Sequence, residues 1–442
     1  MGHRLCTRIA RTFFGAAIAA FAWGAASASA DDFKVLHAFC SLDNCADGDA
    51  PYYNKLTMDS TGTLFGTTAY GGAHGWGTIF ALKPNARNTG YKYKQLYDFC
   101  PAANCSDGAE NYAGPILDAA GNLYGTASSG GAYQEGDVWE LELASGKRTL
   151  HVIHSFCATS GCPDGENPKY ASLTYQGAAG GAPYDGASPL YGIASYGGSH
   201  AQGVVYAVTP VSGTHKWKYR VLYAFCAQSG CADGATPTSL IADGAGHLFG
   251  TAYLGGANAQ GVIFELAPAG KRWSSSVLYN FCSLSQCADG QGYVTSLTFD
   301  GQRNLLGAAT YGGTEGDGVL FRLKPKGAQS EYSVLHSFCT GDCSDGGYPS
   351  GALALDDSGA IYGAASYSLN GDGNEYLNGV IYKFDSSGVH PLHTFCGNWC
   401  GEGYGPLNGV LRDGNGHLFG MTNEGGAHVS GPGGTVYELT PK

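Results

Sequence analysis

The sequence predicts an all-β fold, a seven-bladed β-propeller, and three observations carry that prediction. One strand-rich unit recurs seven times. The composition is that of turn-rich β structure. The phase of the repeat lets the two chain ends share one sheet.

The repeat is marked by Phe-Cys, with its cysteine at Cys40, Cys100, Cys157, Cys226, Cys282, Cys339 and Cys396, a period of 56 to 69 residues. Residues 221–268, VLYAFCAQSGCADGATPTSLIADGAGHLFGTAYLGGANAQGVIFELAP, show the unit. Four strands are expected in it: VLYAF, TSLIAD, HLFGTA and GVIFEL, each bounded by Gly and Asp clusters. The fourth strand is apolar at nearly every position, as in GTIFAL, GVVYAV, GVIFEL, GVLFRL and GTVYEL. A sheet with one wet face would alternate, so these strands are expected to be covered on both faces by neighbouring blades. Repeats of about four short strands read as a propeller or solenoid, and seven falls within the four to eight blades that close a ring. Repeat three inserts QGAAGGAPYDGAS between its second and third strands, and repeat six lengthens the next connection to SYSLNGDGNEYLNG. The chain opens on a first strand, Lys34 to Phe39, and ends on a fourth, Thr435 to Leu439. If a blade runs two-three-four-one, the N-terminal strand completes the last blade and removes the open edges.

Glycine supplies 71 of 442 residues, and charged residues only 14% against a typical ~25%. Arg4, Arg8 and Arg11, the apolar run from Phe13 to Trp23 and Ala28-Ser29-Ala30 read as an export signal cleaved after Ala30. A single propeller domain is then expected over 31–442. The apolar run is too short to span a bilayer comfortably, and no anchor is expected at the C-terminus. The net charge falls from −12 to −15 once the three leader arginines are removed, which argues against nucleic acid as a partner.

Each Phe-Cys cysteine has a second one four or five residues on, giving the pairs Cys40-Cys45, Cys100-Cys105, Cys157-Cys162, Cys226-Cys231, Cys282-Cys287, Cys339-Cys343 and Cys396-Cys400. Zinc sites gather such pairs in fours, whereas here a whole blade separates each pair from the next. With an exported chain, disulfides are the favoured reading. Each closes a loop of about six residues, for which loop-closure entropy gives only about 2 kcal/mol.

Connections alternate between the two ends of an antiparallel blade. The Cys-x-Asp-Gly connection and the Tyr-Gly-Gly connection are therefore expected on one face of the ring, and the short D-x-x-G turns on the other. Tyr70, Tyr196 and Tyr311 precede the glycine pair, and Tyr367 holds the same position before the Ser-Leu that replaces it; these rings could offer flat platforms to a sugar or peptide. They could equally pack between blades around glycine turns. Asp47, Asp107, Asp164, Asp233, Asp289 and Asp345, with Glu402 in the last repeat, could bind ligand hydroxyls or cations, or cap their own turns. His37, His154, His336 and His393 share a strand position held elsewhere by Tyr, which reads as aromatic packing. Asn370, Asp372, Asn374 and Glu375 resemble the start of a Ca²⁺ loop without its distal bidentate Glu. Glu135 and Asp137 form an acid pair that reads as an exposed loop, although paired carboxylates also serve glycoside hydrolysis.

The copies HLFGTAYLGG, GVIFELAP and VLYAFC, with their counterparts over 33–440, resemble the GloVer-repeat, or choice-of-anchor tandem repeat, proteins of bacteria. SLIADGAGHLFG is also similar to the repeats of NHL-type propellers. These resemblances imply an extracytoplasmic propeller and no particular chemistry. Three functions stay open: a secreted or periplasmic multivalent binder of glycan or another surface polymer, a polysaccharide lyase or hydrolase, and a protein-interaction scaffold. An enzyme needs asymmetry, so its candidates are the residues that break the repeat: Glu402, Asn423, Glu424, His428, Glu135 and Asp137.

Overall fold

The computed structural model describes residues 32–442 apart from 54, 87–89, 144–146, 328, 370–374, 377, 397–400 and 428–431. Seven antiparallel sheets follow one another around a ring, a seven-bladed β-propeller. Blade 4 shows the plan. From the axis outwards it runs Ala235–Ala242, Leu248–Leu254, Val262–Ala269 and Arg272–Asn280. Its outermost strand comes from the start of the next repeat, so the repeat and the blade are out of phase by one strand. In blade 7, Asp32–Ala38 pairs along Pro432–Thr440 and supplies the outermost strand, which joins the two chain ends. Two further backbone-directed bonds seal this junction, from Ala50 N–H to the Gly433 carbonyl and from the Asn408 amide to the Pro51 carbonyl.

The third strand from the axis is the buried layer of each blade. Val262, Ile263, Phe264 and Leu266 are all fully buried, as are Ile79, Phe80 and Leu82 in blade 1. Apolar sheets facing each other on both sides explain why this strand lacks alternation. The aromatic at its centre also explains the glycine in Phe-Gly-Thr. A Cβ on Gly250 would stand 2.4 Å from the Phe264 ring, and one on Gly66 would stand 2.5 Å from Phe80. Outermost strands do alternate, as in Arg272–Asn280, because one of their faces meets water.

Blade 3 departs from the plan. Its innermost strand is reduced to one bridge between Thr174 and Tyr191, leaving a three-stranded sheet. The inserted residues fold over the seam with blade 2. There Tyr184 is fully buried against Tyr124 and Tyr175, and it donates to the Ser188 carbonyl. In blade 6 the lengthened connection adds a short strand, Glu375–Tyr376, paired to the one before it.

The D-x-x-G turns lie at the opposite end of the blades from the cysteines, as expected. In each, one aspartate oxygen accepts from two backbone amides. Asp243 takes those of Ala245 and His247, both at 2.8 Å, and Asp300 repeats the pattern with Gln302 and Asn304 although Arg303 stands in the glycine position of its turn.

Six of the expected disulfides are formed in the described residues, Cys40–Cys45 to Cys339–Cys343. Cys396 is also disulfide-bonded, while its expected partner Cys400 lies outside the described residues. All twelve cysteines of the six pairs have φ between 45° and 65°. Left-handed backbone costs an L-residue about 1–2 kcal/mol, so two of them offset most of the entropy one short loop gains. The bridge shapes its loop more than it stabilises the ring. Electrospray mass should rise by two hydrogens per bridge on reduction under denaturing conditions, for seven bridges in all. A smaller gain would show that at least one pair is free. Disulfides at this density fit an extracytoplasmic chain. No helix among the described residues is long and apolar enough to cross a membrane.

Candidate functional site

The disulfide loop and the Gly-Gly loop do share one face, and they are bonded together. In five of the six pairs the second glycine donates to the carbonyl of the second cysteine, Gly72 to Cys45, Gly131 to Cys105, Gly198 to Cys162, Gly256 to Cys231 and Gly313 to Cys287, at 2.8–2.9 Å. A Cβ on the first glycine would collide with that same carbonyl, at 2.6 Å for Gly71 and 2.5 Å for Gly255. The glycine pair is therefore the socket for the cysteine loop.

The repeated acid holds this loop from inside. Asp233 accepts from the Ala227 and Gln228 amides at 3.0 and 3.1 Å, and Asp289 from Ser283 and Leu284 at 2.8 and 3.1 Å. Asp47 accepts from Ser41 and Leu42, and Asp107, Asp164 and Asp345 from the first cysteine of their own loops. Each acid also meets a polar side chain of the outermost strand. The donor is Tyr97, Tyr223 or Tyr279 in three blades, at 2.6–2.8 Å. In three others it is His154, His336 or His393, with Asp164, Asp345 and Glu402 as partners, and in blade 7 His37 Nε2 lies 3.1 Å from Asp47 Oδ2. The histidine positions thus do more than pack. Three of the rings stack on the next blade, His37 on Tyr93 at 4.0 Å, His154 on Tyr219 at 3.7 Å and His393 on Phe33 at 4.0 Å, and their tips meet the acid.

A one-residue bulge makes this possible. In blade 4, Ile263 faces Tyr279 while Phe264 faces Val277, so Leu278 is extra. The same extra residue is Leu36, Leu96, Ile153, Leu222, Leu335 or Leu392 in the other blades. A bulge re-aims the following side chain, which here is the Tyr or His that reaches the acid. Burial would raise the Asp47 carboxyl, but bonds from His37, Ser41 and Leu42 outweigh it and hold it at about 2. Six aspartates and Glu402 are therefore engaged within the loops. Glu402 reaches His393 at 3.2 Å, so its longer side chain repeats the contact with the outermost strand that the aspartates make.

Tyrosines plate the same face and converge on the axis. Tyr53 of blade 1 meets Tyr170 of blade 3 at 5.9 Å between ring centroids, and Tyr170 meets Tyr293 of blade 5 at 6.0 Å. Blades that are not neighbours touch only across the axis, so these rings cover its mouth. From Tyr293 the contacts continue through Tyr311, Tyr348 and Tyr367. On the other side Tyr52 contacts Tyr70 and Tyr112, whose hydroxyls are 2.6 Å apart. The Lys169 ammonium lies 4.2 Å from the centroid of Tyr112. Burial pushes the Tyr170 phenol up to about 12 and raises those of Tyr112 and Tyr293 further, so the belt stays neutral. Lys55 keeps solvent access at the residue level, while the protein packed around its amine lowers its pKa by desolvation.

Of the four tyrosines singled out from the sequence, Tyr196 and Tyr311 are 44% and 41% exposed, and Tyr70 is half-buried. Tyr367 is buried beside Tyr348 and the Cys339–Cys343 bridge, so it supports the belt without presenting a face. Most of the belt was missed: Tyr52, Tyr53, Tyr112, Tyr170, Tyr293, Tyr348 and Tyr404 all stand two to six residues after the repeated acid. That recurrence is the signal that would have found them.

The repeat-breaking candidates scatter. Asn423 is buried, and with its amide turned to suit its neighbours it donates to the carbonyls of Gly405 and Tyr404. Glu424 is half-buried on the belt and bonds Tyr404. Near it Asp49 has its carboxyl raised by burial, an effect to which Glu424 adds. Glu135 stays on this face beside Glu166. Asp137 corrects the reading of an exposed acid pair: it is a strand residue, fully buried, facing Ala127 and Ser155. Its cause is the blade itself, since position 137 opens the buried third strand. His428, Asn370, Asp372 and Asn374 lie outside the described residues, as does the Glu375 side chain. A shallow polar depression lined by Ser358, Lys383 and Asp385 lies on the opposite face.

Solved structures share the architecture at low identity. The extracellular domain of a putative hybrid two-component system from B. thetaiotaomicron is 12% identical with a TM-score of 0.51, over 93% of this chain and 40% of that one. A puromycin hydrolase is 12% identical with a TM-score of 0.50, over 85% of this chain and 50% of its own. The chain thus spans half or less of the length of either protein, and the likeness concerns the fold alone. No curated protein matches the chain. Residues 21–188 and 175–372 match the Gloeobacter/Verrucomicrobia repeat, and with the unit repeated seven times in sequence and space the chain belongs to that family.

Proposed function

We propose that this is a secreted or periplasmic binding protein that holds a glycan, or a similar surface polymer, against its tyrosine-plated face. The continuous belt of neutral tyrosines over the axis carries this reading. A phenol joins a flat apolar ring to a hydroxyl, the pairing that suits a sugar ring with its own hydroxyls. The belt draws on most blades, so weak contacts along one polymer add through effective concentration. The aspartate ring contributes through the loops it shapes.

A second reading, hydrolysis or elimination on the same polymer, is favoured by one asymmetric feature. Asp49, with its raised carboxyl, Glu424 and Tyr404 gather only where blade 7 meets blade 1. Purified protein incubated with a panel of bacterial and plant polysaccharides separates the two. Binding predicts retention of intact polymer, and about a fivefold loss of affinity for each of Tyr196→Ala and Tyr311→Ala, with Glu424→Gln near parental. Released fragments that disappear in Glu424→Gln would replace binding by catalysis. Retention unchanged in the double tyrosine variant would remove the belt from either account.

A further inference from the structure

We infer that Glu142, His151 and His215 form a zinc site on the rim of the ring, bridging blades 2 and 3. Glu142 ends the strand Asp137–Glu142, and His151 lies in the adjacent strand Thr149–Ser155. Glu140 stands directly opposite His151, and Glu142, two residues on, projects from the same face of the sheet. His215 comes from the turn of blade 3 that leads into Trp217–Ala224. One ligand atom from each of the three residues lies within 4.8 Å of the other two.

The spacing suits a metal. Zinc bonds of about 2.0–2.1 Å to nitrogen and oxygen put neighbouring ligands of a tetrahedron roughly 3.3–3.4 Å apart. Glu142 Oε2 and His151 Nε2 are 3.3 Å apart. The two imidazoles are stacked with centroids 5.0 Å apart, and His215, exposed on a turn, must swing its ring out of that stack to bring a nitrogen lone pair to the point the other two ligands share. Two imidazoles and one carboxylate, with water in the fourth position, are a common zinc set, and imidazole disfavours Ca²⁺ and Mg²⁺. Glu140, held by the Tyr124 hydroxyl at 3.0 Å, adds negative charge beside both rings.

The fold does not require this cluster. The positions matching Glu142 and His151 are Lys83 and Lys94 in blade 1, Thr209 and Arg220 in blade 3, and Ala267 and Ser276 in blade 4. Two of these sets would repel a cation. The grouping belongs to the seam of blades 2 and 3 alone among those four blades, and it joins strands of one blade to a turn of the next.

The test is equilibrium dialysis of tag-free protein against ZnCl₂, with CaCl₂ in parallel and Co²⁺ as a spectroscopic probe. One zinc per chain is expected, with tetrahedral Co²⁺ absorption and no calcium at this site. His215→Ala should weaken zinc binding at least tenfold, and its melting without metal should match the parent because the residue is exposed. Zinc should raise the parent's melting temperature and leave that of the His151→Ala/His215→Ala double variant unmoved. No stoichiometric zinc, or equal zinc binding by parent and double variant, would overturn the site.

Discussion

A chain that begins at Cys40 should fail to unfold cooperatively, and a synthetic peptide of residues 31–39 should restore the transition. The missing strand ties the ring at two seams. Phe39 is fully buried and meets Phe80 of blade 1 edge-on at 5.1 Å. Phe33 stacks on His393 of blade 6 at 4.0 Å and on Tyr437 at 5.5 Å. Losing the buried Phe39 costs about 3–5 kcal/mol, and losing the half-buried Phe33 adds a smaller amount. The sum is comparable to the ~5–15 kcal/mol that holds a whole domain together. The strand also covers the edge of Pro432–Thr440, which would otherwise invite pairing between molecules. Circular dichroism melts of the shortened chain, with and without excess peptide, give the answer. A shortened chain that melts like the parent would mean that the ring closes without its N-terminal strand. Rescue that depends on peptide concentration would show directly that this strand is the clasp.

Much of this architecture is legible in the chain because it is written seven times. Strand order, the apolar third strand, the pairing of the ends and the shared face of the cysteine and glycine loops follow from spacing alone. What escaped is what spacing along one strand does not encode. The exchange of His and Tyr looks like aromatic packing until the bulge at Leu278 and its counterparts turns those tips onto the acid. Both side chains end in a hydrogen-bond donor, and that shared property was the available clue. The tyrosine belt escaped for another reason. Tyr53, Tyr170 and Tyr293 lie in repeats that are not neighbours in the ring, and only closure brings them together. A similar limit applies to Glu142, His151 and His215, whose third member arrives from the next blade.

Departures from the repeat are also where the scaffold gives up stability. The residue that opens the third strand of each blade faces a fixed partner. Val204, Val262, Val319 and Val380 face Ala194, Ala252, Ala309 and Ala365, whereas Thr78 and Thr435 face Thr68 and Thr422 and bond them. Either solution leaves no polar atom alone. Asp137 faces Ala127, the partner that elsewhere accompanies valine. Both of its carboxyl oxygens are buried without a hydrogen bond, and so is Asp107 Oδ1 nearby. Desolvation, joined by the charge of Asp107, raises the Asp137 carboxyl well above the usual carboxylate range.

Asp137→Val should therefore stabilise the protein by about 2 kcal/mol at pH 7.5, the cost of one unsatisfied buried polar group. Valine is close in volume to aspartate, and the alanine opposite already accepts it in four other blades. The pH dependence has a definite sign. In the unfolded chain Asp137 releases its proton near pH 3.9, whereas the folded chain retains it to a higher pH. Between these points the native state binds the extra proton, so the parent loses stability as pH rises through that window. The variant lacks the group, and its advantage should shrink as pH falls towards 4. Asp137→Asn keeps the shape and removes the titration, so it should show little of that pH dependence while leaving its amide unsatisfied. Urea unfolding of all three proteins at pH 4 and pH 7.5 separates the two contributions. A valine variant no more stable than the parent at pH 7.5 would show that the Asp137 carboxyl has a partner that offsets its burial. A gain that is the same at both pH values would place the whole cost in the unsatisfied oxygens and none in the proton.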